Sequence, residues 1–244
     1  MALLELASVT KTYGGIVAVD NATFSVEEGG ITALIGPNGA GKTTAFDTVC
    51  GVVSADSGTI TLDGRPITNL RPHTIARRGI GRTFQITREL GEMSVLENMA
   101  VTEVPNGFKS LLGGRITTAE EEQAMELLTF VGIDGLAHEP AKRLSYGQRK
   151  LLEFASVLMT DPRLIMLDEP AGGVNPALLD RLVDRIRAVN ERGTTFLIVE
   201  HNMDVVMSLS DSIVVMAHGQ VLIQDSPEIV REDERVLDAY LGEA

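Results

Sequence analysis

The stretch Gly36-Pro-Asn-Gly-Ala-Gly-Lys-Thr-Thr44 lies between the apolar run 31–35 and a helical pattern over 42–50, and it constrains the fold more than any other part of the chain. It matches G-x-x-x-x-G-K-[ST] in full and in the context that pattern needs, with a strand before it and a helix after it. Gly36, Gly39 and Gly41 let the backbone wrap around Pro37, Asn38 and Ala40 until successive N–H groups point inward at phosphate oxygens. The helix start adds unpaired N–H groups and the positive end of its dipole. Lys42 is placed to reach β- and γ-phosphates, and the Thr43 hydroxyl, with Thr44 behind it, to bind Mg²⁺. The spacing predicts a nucleoside-triphosphate site with Mg²⁺ on an α/β sheet.

The remaining pattern fits such a sheet. Alternating or β-branched runs predict strands over 3–8, 22–27, 31–35, 59–62, 80–84, 164–168, 195–199, 213–217 and 220–224. Helical periodicity is clear at 177–190, with Pro176 ahead and Gly193 behind. It recurs at 118–131, where Thr118-Ala-Glu-Glu121 reads as a capping box. Strands dominate 1–85 and helices 86–160; strand and helix then alternate, as in a parallel sheet with helical crossovers. The expectation is one domain over 1–244, a nucleotide-binding core of 1–85 and 161–244 interrupted by a helical subdomain at 86–160.

Composition removes several function classes. A formal net charge of −13 excludes a uniformly basic nucleic-acid-coating protein, so no nucleic-acid partner is expected. The single cysteine, Cys50, excludes a disulfide scaffold and a multi-cysteine zinc site, fits a reducing cytoplasm, and reads as a small buried hydrophobe. No stretch approaches the ~20 apolar residues of a membrane span, and the opening Met-Ala-Leu-Leu-Glu lacks the pattern of a secretory signal. Any membrane role is expected to come through a partner.

Two further segments carry chemistry. The apolar run 164–167 ends in Asp168 and Glu169. An acid at the carboxyl edge of a parallel strand sits where ligands gather in open α/β sheets. Asp168 can hold Mg²⁺ through its water shell, and Glu169 can orient and deprotonate an attacking water. Ser145-Tyr-Gly-Gln148 has capping-box spacing ahead of a helical run over 149–160, which exposes a second helix N-terminus as a possible anion site.

Taken in order, Gly36–Thr43, Gln85, Leu144–Gln148, Leu164–Pro170 and His201 resemble the ATP-binding cassette (ABC) ATPase family over nearly the whole chain. The resemblance implies a P-loop fold with a mainly parallel core sheet, an N-terminal antiparallel β subdomain and an inserted helical subdomain. It implies two subunits sandwiching two ATP molecules, with Ser145, Tyr146, Gly147 and Gln148 facing phosphates bound by the partner's loop. By the same resemblance Tyr13 stacks on adenine, Gln85 touches Mg²⁺ or water, and His201 contacts the γ-phosphate. Tyr146 departs from the general signature by replacing the first of two glycines, and Asn175 stands where many relatives carry an aspartate.

Arg82-Thr-Phe-Gln85, Glu92–Asn98, Tyr146, Glu169–Pro176, Glu200-His-Asn-Met203 and the ending Ala239–Ala244 are similar to the ATP-binding subunits of branched-chain amino-acid uptake transporters. Urea and lipopolysaccharide transporter subunits share several of these features. The implied partners are transmembrane permeases, a second ABC ATPase subunit as homodimer or related heterodimer, and, indirectly, an extracytoplasmic solute-binding protein; the implied place is the cytoplasmic face of the membrane. A soluble ABC ATPase acting on nucleic acid would carry a long insertion or a second cassette. An ordinary P-loop kinase would not need the 144–148 and 201 elements. Arg65, Arg71, Arg77, Arg78, Arg82 and Arg88 form a run with no acid among them, read either as a solvated face or as the face that receives the permease.

Overall fold

The computed structural model describes residues 1–83, 90–102 and 117–241. A first sheet is wholly antiparallel, in the order β2 (Ile16–Glu27), β1 (Ala2–Tyr13), β4 (Ser57–Leu62), β5 (Arg65–Pro66). The second has the order β10 (Gln220–Asp225), β9 (Ser212–Ala217), β3 (Ile31–Ile35), β8 (Thr195–Val199), β7 (Leu164–Asp168), β6 (Ile80–Arg82). Its strands from β9 to β6 are parallel, and β10 is an antiparallel edge. The antiparallel sheet, the mainly parallel core sheet and the helices between β6 and β7 agree with the expected fold class.

The helices are α1 (Lys42–Val49), α2 (Pro72–Ala76), α3 (Val95–Thr102), α4 (Thr118–Val131), α5 (Tyr146–Leu158), α6 (Pro176–Asn190), α7 (Met203–Leu209), α8 (Pro227–Glu232) and α9 (Glu234–Leu241). The period-2 geometry of the central strands sorts their side chains onto two faces. Leu164, Met166, Leu197 and Val199 pack with α1 and the antiparallel sheet. Ile165, Leu167, Phe196 and Ile198 pack with α3, α4, α5 and α6. Both faces are covered, which explains why β3, β7 and β8 read as mostly apolar runs rather than alternating ones.

Local expectations shift in places. The capping box of α4 is Thr117 with Glu120, one residue before Thr118 and Glu121: the Thr117 side chain accepts from Glu120 N at 3.2 Å, and Thr117 N donates to Glu120 Oε2 at 2.7 Å. The strand at 80–84 is observed as Ile80–Arg82, and Gln85 and Arg88 lie outside the described residues. No helix among the described residues is long and apolar enough to cross a membrane.

Candidate functional site

The parallel register brings distant parts of the chain to one edge. On β8, Val199 pairs with Leu34 of β3 on one side and with Asp168 of β7 on the other. One residue beyond each pairing lie Ile35, Glu169 and Glu200, so the phosphate loop, the acid pair and the His201 turn leave the sheet side by side.

Between β3 and α1 the chain turns tightly. Gly36 has φ +146°, and a Cβ there would lie 2.0 Å from the Met216 carbonyl oxygen. Gly41 has φ +97°, and its Cβ would lie 2.2 Å from the Ala18 carbonyl oxygen. Both positions require glycine for space as well as for conformation. Pro37 and Ala40 are buried, whereas Asn38, Gly39 and Thr43 are exposed on the open side. Lys42 Nζ spans the loop and donates to the carbonyls of Gly36 at 2.6 Å and Pro37 at 2.8 Å. The helix begins at Gly41 with no side-chain cap, so its first amides suit an external anion. Ala18 belongs to the β1–β2 hairpin, so its contact with Gly41 holds that hairpin, with the exposed Tyr13 at its tip, against the phosphate loop.

Asp168 is only 3% exposed. Burial pushes its carboxyl above the ordinary carboxylate range; Arg82 pulls the other way, and the neighbouring Glu169 and Asp47 push it further up. Arg82, predicted to belong to an exposed basic face, instead points inward: Nη2 is 2.6 Å from Asp47 Oδ1 and 3.7 Å from Asp168 Oδ2, and the guanidinium stacks on Phe46 with 4.8 Å to the ring centroid. The Thr83 hydroxyl accepts from Asp168 N at 3.3 Å. Asp47 and Phe46 lie on α1, so Arg82 ties that helix to the acid pair. The run 65–88 does not hide this by composition but by distance, since its acid partners stand at 47 and 168.

Glu169 adopts φ +49°, a left-handed conformation that costs a side chain of its type free energy and is found at functional turns. Its amide donates to the Val199 carbonyl at 2.9 Å, and its Oε1 lies 3.9 Å from His201 Nδ1. The two side chains therefore face one another across the site. His201 stays 64% exposed and open to a ligand on that side. Among the described residues no cluster of three or more His, Cys, Asp or Glu forms a metal cage. Mg²⁺ bound with a nucleotide does not need one: it keeps several waters and takes one or two protein oxygens plus phosphate. A hydroxyl at Thr43 and a carboxylate at Asp168 fit that donor set.

The Ser145–Gln148 segment lies elsewhere. Ser145 caps α5 reciprocally, with Gln148 N donating to Ser145 Oγ at 3.3 Å and Ser145 N donating to Gln148 Oε1 at 2.8 Å. Ser145 and Tyr146 are exposed, and Gly147 is buried where a Cβ would meet Leu178 at 2.6 Å. Helix α5 packs against α3, α4, α6 and β6, whereas α1 packs against β2 and β8. The structure thus gathers Lys42, Thr43, Asp168, Glu169 and His201 at one sheet edge and sets Ser145–Gln148 on the helical side. Glu200 enters the sequence reading only within Glu200-His-Asn-Met203, because the Ala171 amide it accepts from stands 29 positions away.

Residues 19–172 match the family described as ABC transporter. The chain is 41% identical over 247 residues to the probable branched-chain amino acid transport ATP-binding protein LivG of Archaeoglobus fulgidus, covering 99% of this chain and 96% of that one. It is 41% identical over 251 residues to the high-affinity branched-chain amino acid transport ATP-binding protein BraF of Pseudomonas aeruginosa, covering 99% and 98%. Among solved structures, the ADP conformation of an ATP-binding cassette of an ABC transporter matches with a TM-score of 0.90 and 34% identity, covering 99% of each chain.

Proposed function

This chain belongs to the ABC transporter family, and from that membership we propose that it is the ATP-hydrolysing subunit of an importer for branched-chain amino acids. The observation that carries the chemistry is the shared edge of β3, β8 and β7, which sets the phosphate loop beside Glu169 and His201. In this reading the loop amides of 36–44 and Lys42 bind the phosphates, Tyr13 stacks on the adenine, and Thr43 and Asp168 hold Mg²⁺. Gln85 completes that set from outside the described residues. Held by these residues, Mg²⁺ would supply positive charge to offset that of the nucleotide phosphates. Glu169 orients a water and takes its proton as the water oxygen bonds to the γ-phosphorus and the bond to ADP breaks. His201, opposite, contacts the γ-phosphate and keeps the water and the phosphorus in line.

The solute rests on the names of the relatives, since nothing in an ATPase subunit contacts cargo. Transmembrane permeases are the expected partners and hold the subunit on the cytoplasmic face of the membrane. A cavity of about 290 Å³ lined by Cys50, Val52, His73, Ile75 and Arg82 supports a docking place beside the site. The flanking Arg71, Arg77 and Arg78 are all exposed, and Arg78 donates to the Pro66 carbonyl at 2.6 Å.

Lys42→Ala should weaken ATP binding and turnover together. Glu169→Gln should keep binding while hydrolysis falls by roughly 10²–10⁴-fold. Equal loss of nucleotide affinity in both variants would overturn the assignment. Uptake of leucine, isoleucine and valine, compared with urea, in cells lacking the gene tests the solute: a defect in urea uptake alone would redirect it.

A further inference from the structure

Glu200 is 1% exposed and is the last residue before His201, yet it does not face the open site. Its Oε1 accepts from Ala171 N at 2.7 Å; its Oε2 accepts from His201 N at 2.8 Å and from Asn202 N at 2.9 Å. One carboxylate therefore closes two loops onto each other. Ala171 lies two residues after Glu169, in a tight turn where Gly172 N donates to the Glu169 carbonyl at 3.1 Å. His201 and Asn202 open the turn into α7, which the Asn202 side chain caps through Asp204 N and Val205 N.

A carboxylate suits this place because it only accepts, and its two oxygens can serve three converging N–H donors. A glutamine would present its own N–H₂ to one of the loops and turn an acceptor arm into a donor–donor clash. An unmatched buried amide is costly, so that arm would open. From these contacts we infer that Glu200 is a positioning residue for ATP hydrolysis: by stapling the 169–172 turn to the 201–202 turn it sets the separation of Glu169 and His201. It also fixes the segment that reaches the signature helix, since Gly173 lies against the Tyr146 ring and Val174 against Gly147. The inference rests on the ATPase reading above.

Steady-state hydrolysis and nucleotide binding of Glu200→Gln, His201→Ala and the double variant test it. Glu200→Gln should lower kcat by roughly 10–100-fold, the scale of a misplaced reacting group, with KM and nucleotide affinity within about twofold of wild type. In the His201→Ala background the same change should cost far less, because the geometry it protects is already gone. A loss of equal factor in both backgrounds, or unchanged kcat in the single variant, would overturn the inference. A wild-type protein without Mg-ATP turnover would instead overturn the ATPase reading. Hydrogen exchange on the unmutated protein supplies a second measurement: the Ala171, His201 and Asn202 amides should be protected, and fast exchange at Ala171 would show that the staple is open.

Discussion

Asp168 sits where its own ionisation opposes folding. Its folded-state pKa is raised, first by burial, so the native protein keeps a proton at pH values where the unfolded chain has lost it. The favourable contribution is therefore complete only below the ordinary value of 3.8 and disappears as pH rises through the folded-state value. At pH 7 the buried carboxylate is a destabilising element, which its proposed role as a Mg²⁺ ligand accounts for. Asp168→Asn should raise the melting temperature of the nucleotide-free protein at pH 7, with the gain over wild type shrinking as pH approaches 4 and Mg-dependent turnover lost; calorimetry and ATPase assays check both. Cys50 shows the opposite use of burial. Its thiol is pushed up to about 12, chiefly by desolvation, and its Sγ rests 3.5 Å from Met166 Sδ. The thiolate is the reactive form. Iodoacetamide at pH 8 should leave the native protein unlabelled and modify Cys50 once the chain is unfolded in urea.

At the level of elements, α4 and α5 begin with the same reciprocal cap, from Thr117 and from Ser145. Removing either hydroxyl should cost about 1 kcal/mol of stability, measurable in urea. The two substitutions should part in function: Thr117→Ala should leave ATP-dependent behaviour alone, whereas Ser145→Ala, where the family resemblance implies contact with the partner's nucleotide, should weaken ATP-dependent association. What the sequence makes legible follows the same division between local and distant causes. The runs 31–35, 164–168 and 195–199 coincide with β3, β7 and β8, because a strand buried on both faces is apolar at most positions on either side. The alternating pattern of β1 stops at residue 8, although the strand continues to Tyr13. Ser8 takes φ +51° and the register with β2 slips between Leu6 and Val9, which breaks the alternation a reader depends on. The loop shape at 36–44 is legible because glycines, lysine and helix start are contiguous. The inward turn of Arg82 and the staple made by Glu200 are not, since their partners are set by sheet order.

For the whole molecule, the phosphate loop and Ser145–Gln148 lie apart, so on the proposed ATPase reading a second subunit has to complete the enclosure of each ATP. We expect the nucleotide-free protein to sediment as a monomer. Glu169→Gln with ATP should sediment as a dimer that Ser145→Arg abolishes, and the dimer should tighten as salt screens two subunits each carrying a formal charge of −13. A Glu169→Gln protein that binds ATP yet stays monomeric would mean that a different ATPase supplies the second half. Strand order also bears on how the chain is made. β3, which carries the phosphate loop, has β8 and β9 as its only ladder partners among the described residues, so Ile31 waits for Phe196 and Thr32 for Ser212. At ribosomal speeds of about 5–20 residues per second, the phosphate-binding strand is out of the tunnel on the order of ten seconds before either neighbour exists. During that interval an apolar strand with both edges open is a target for chaperones and for mispairing. On this account nucleotide can join the chain only once β8 and β9 are made, so ribosome-stalled chains that end before residue 195 should not retain ATP, and stalled chains that expose the whole of β9 should.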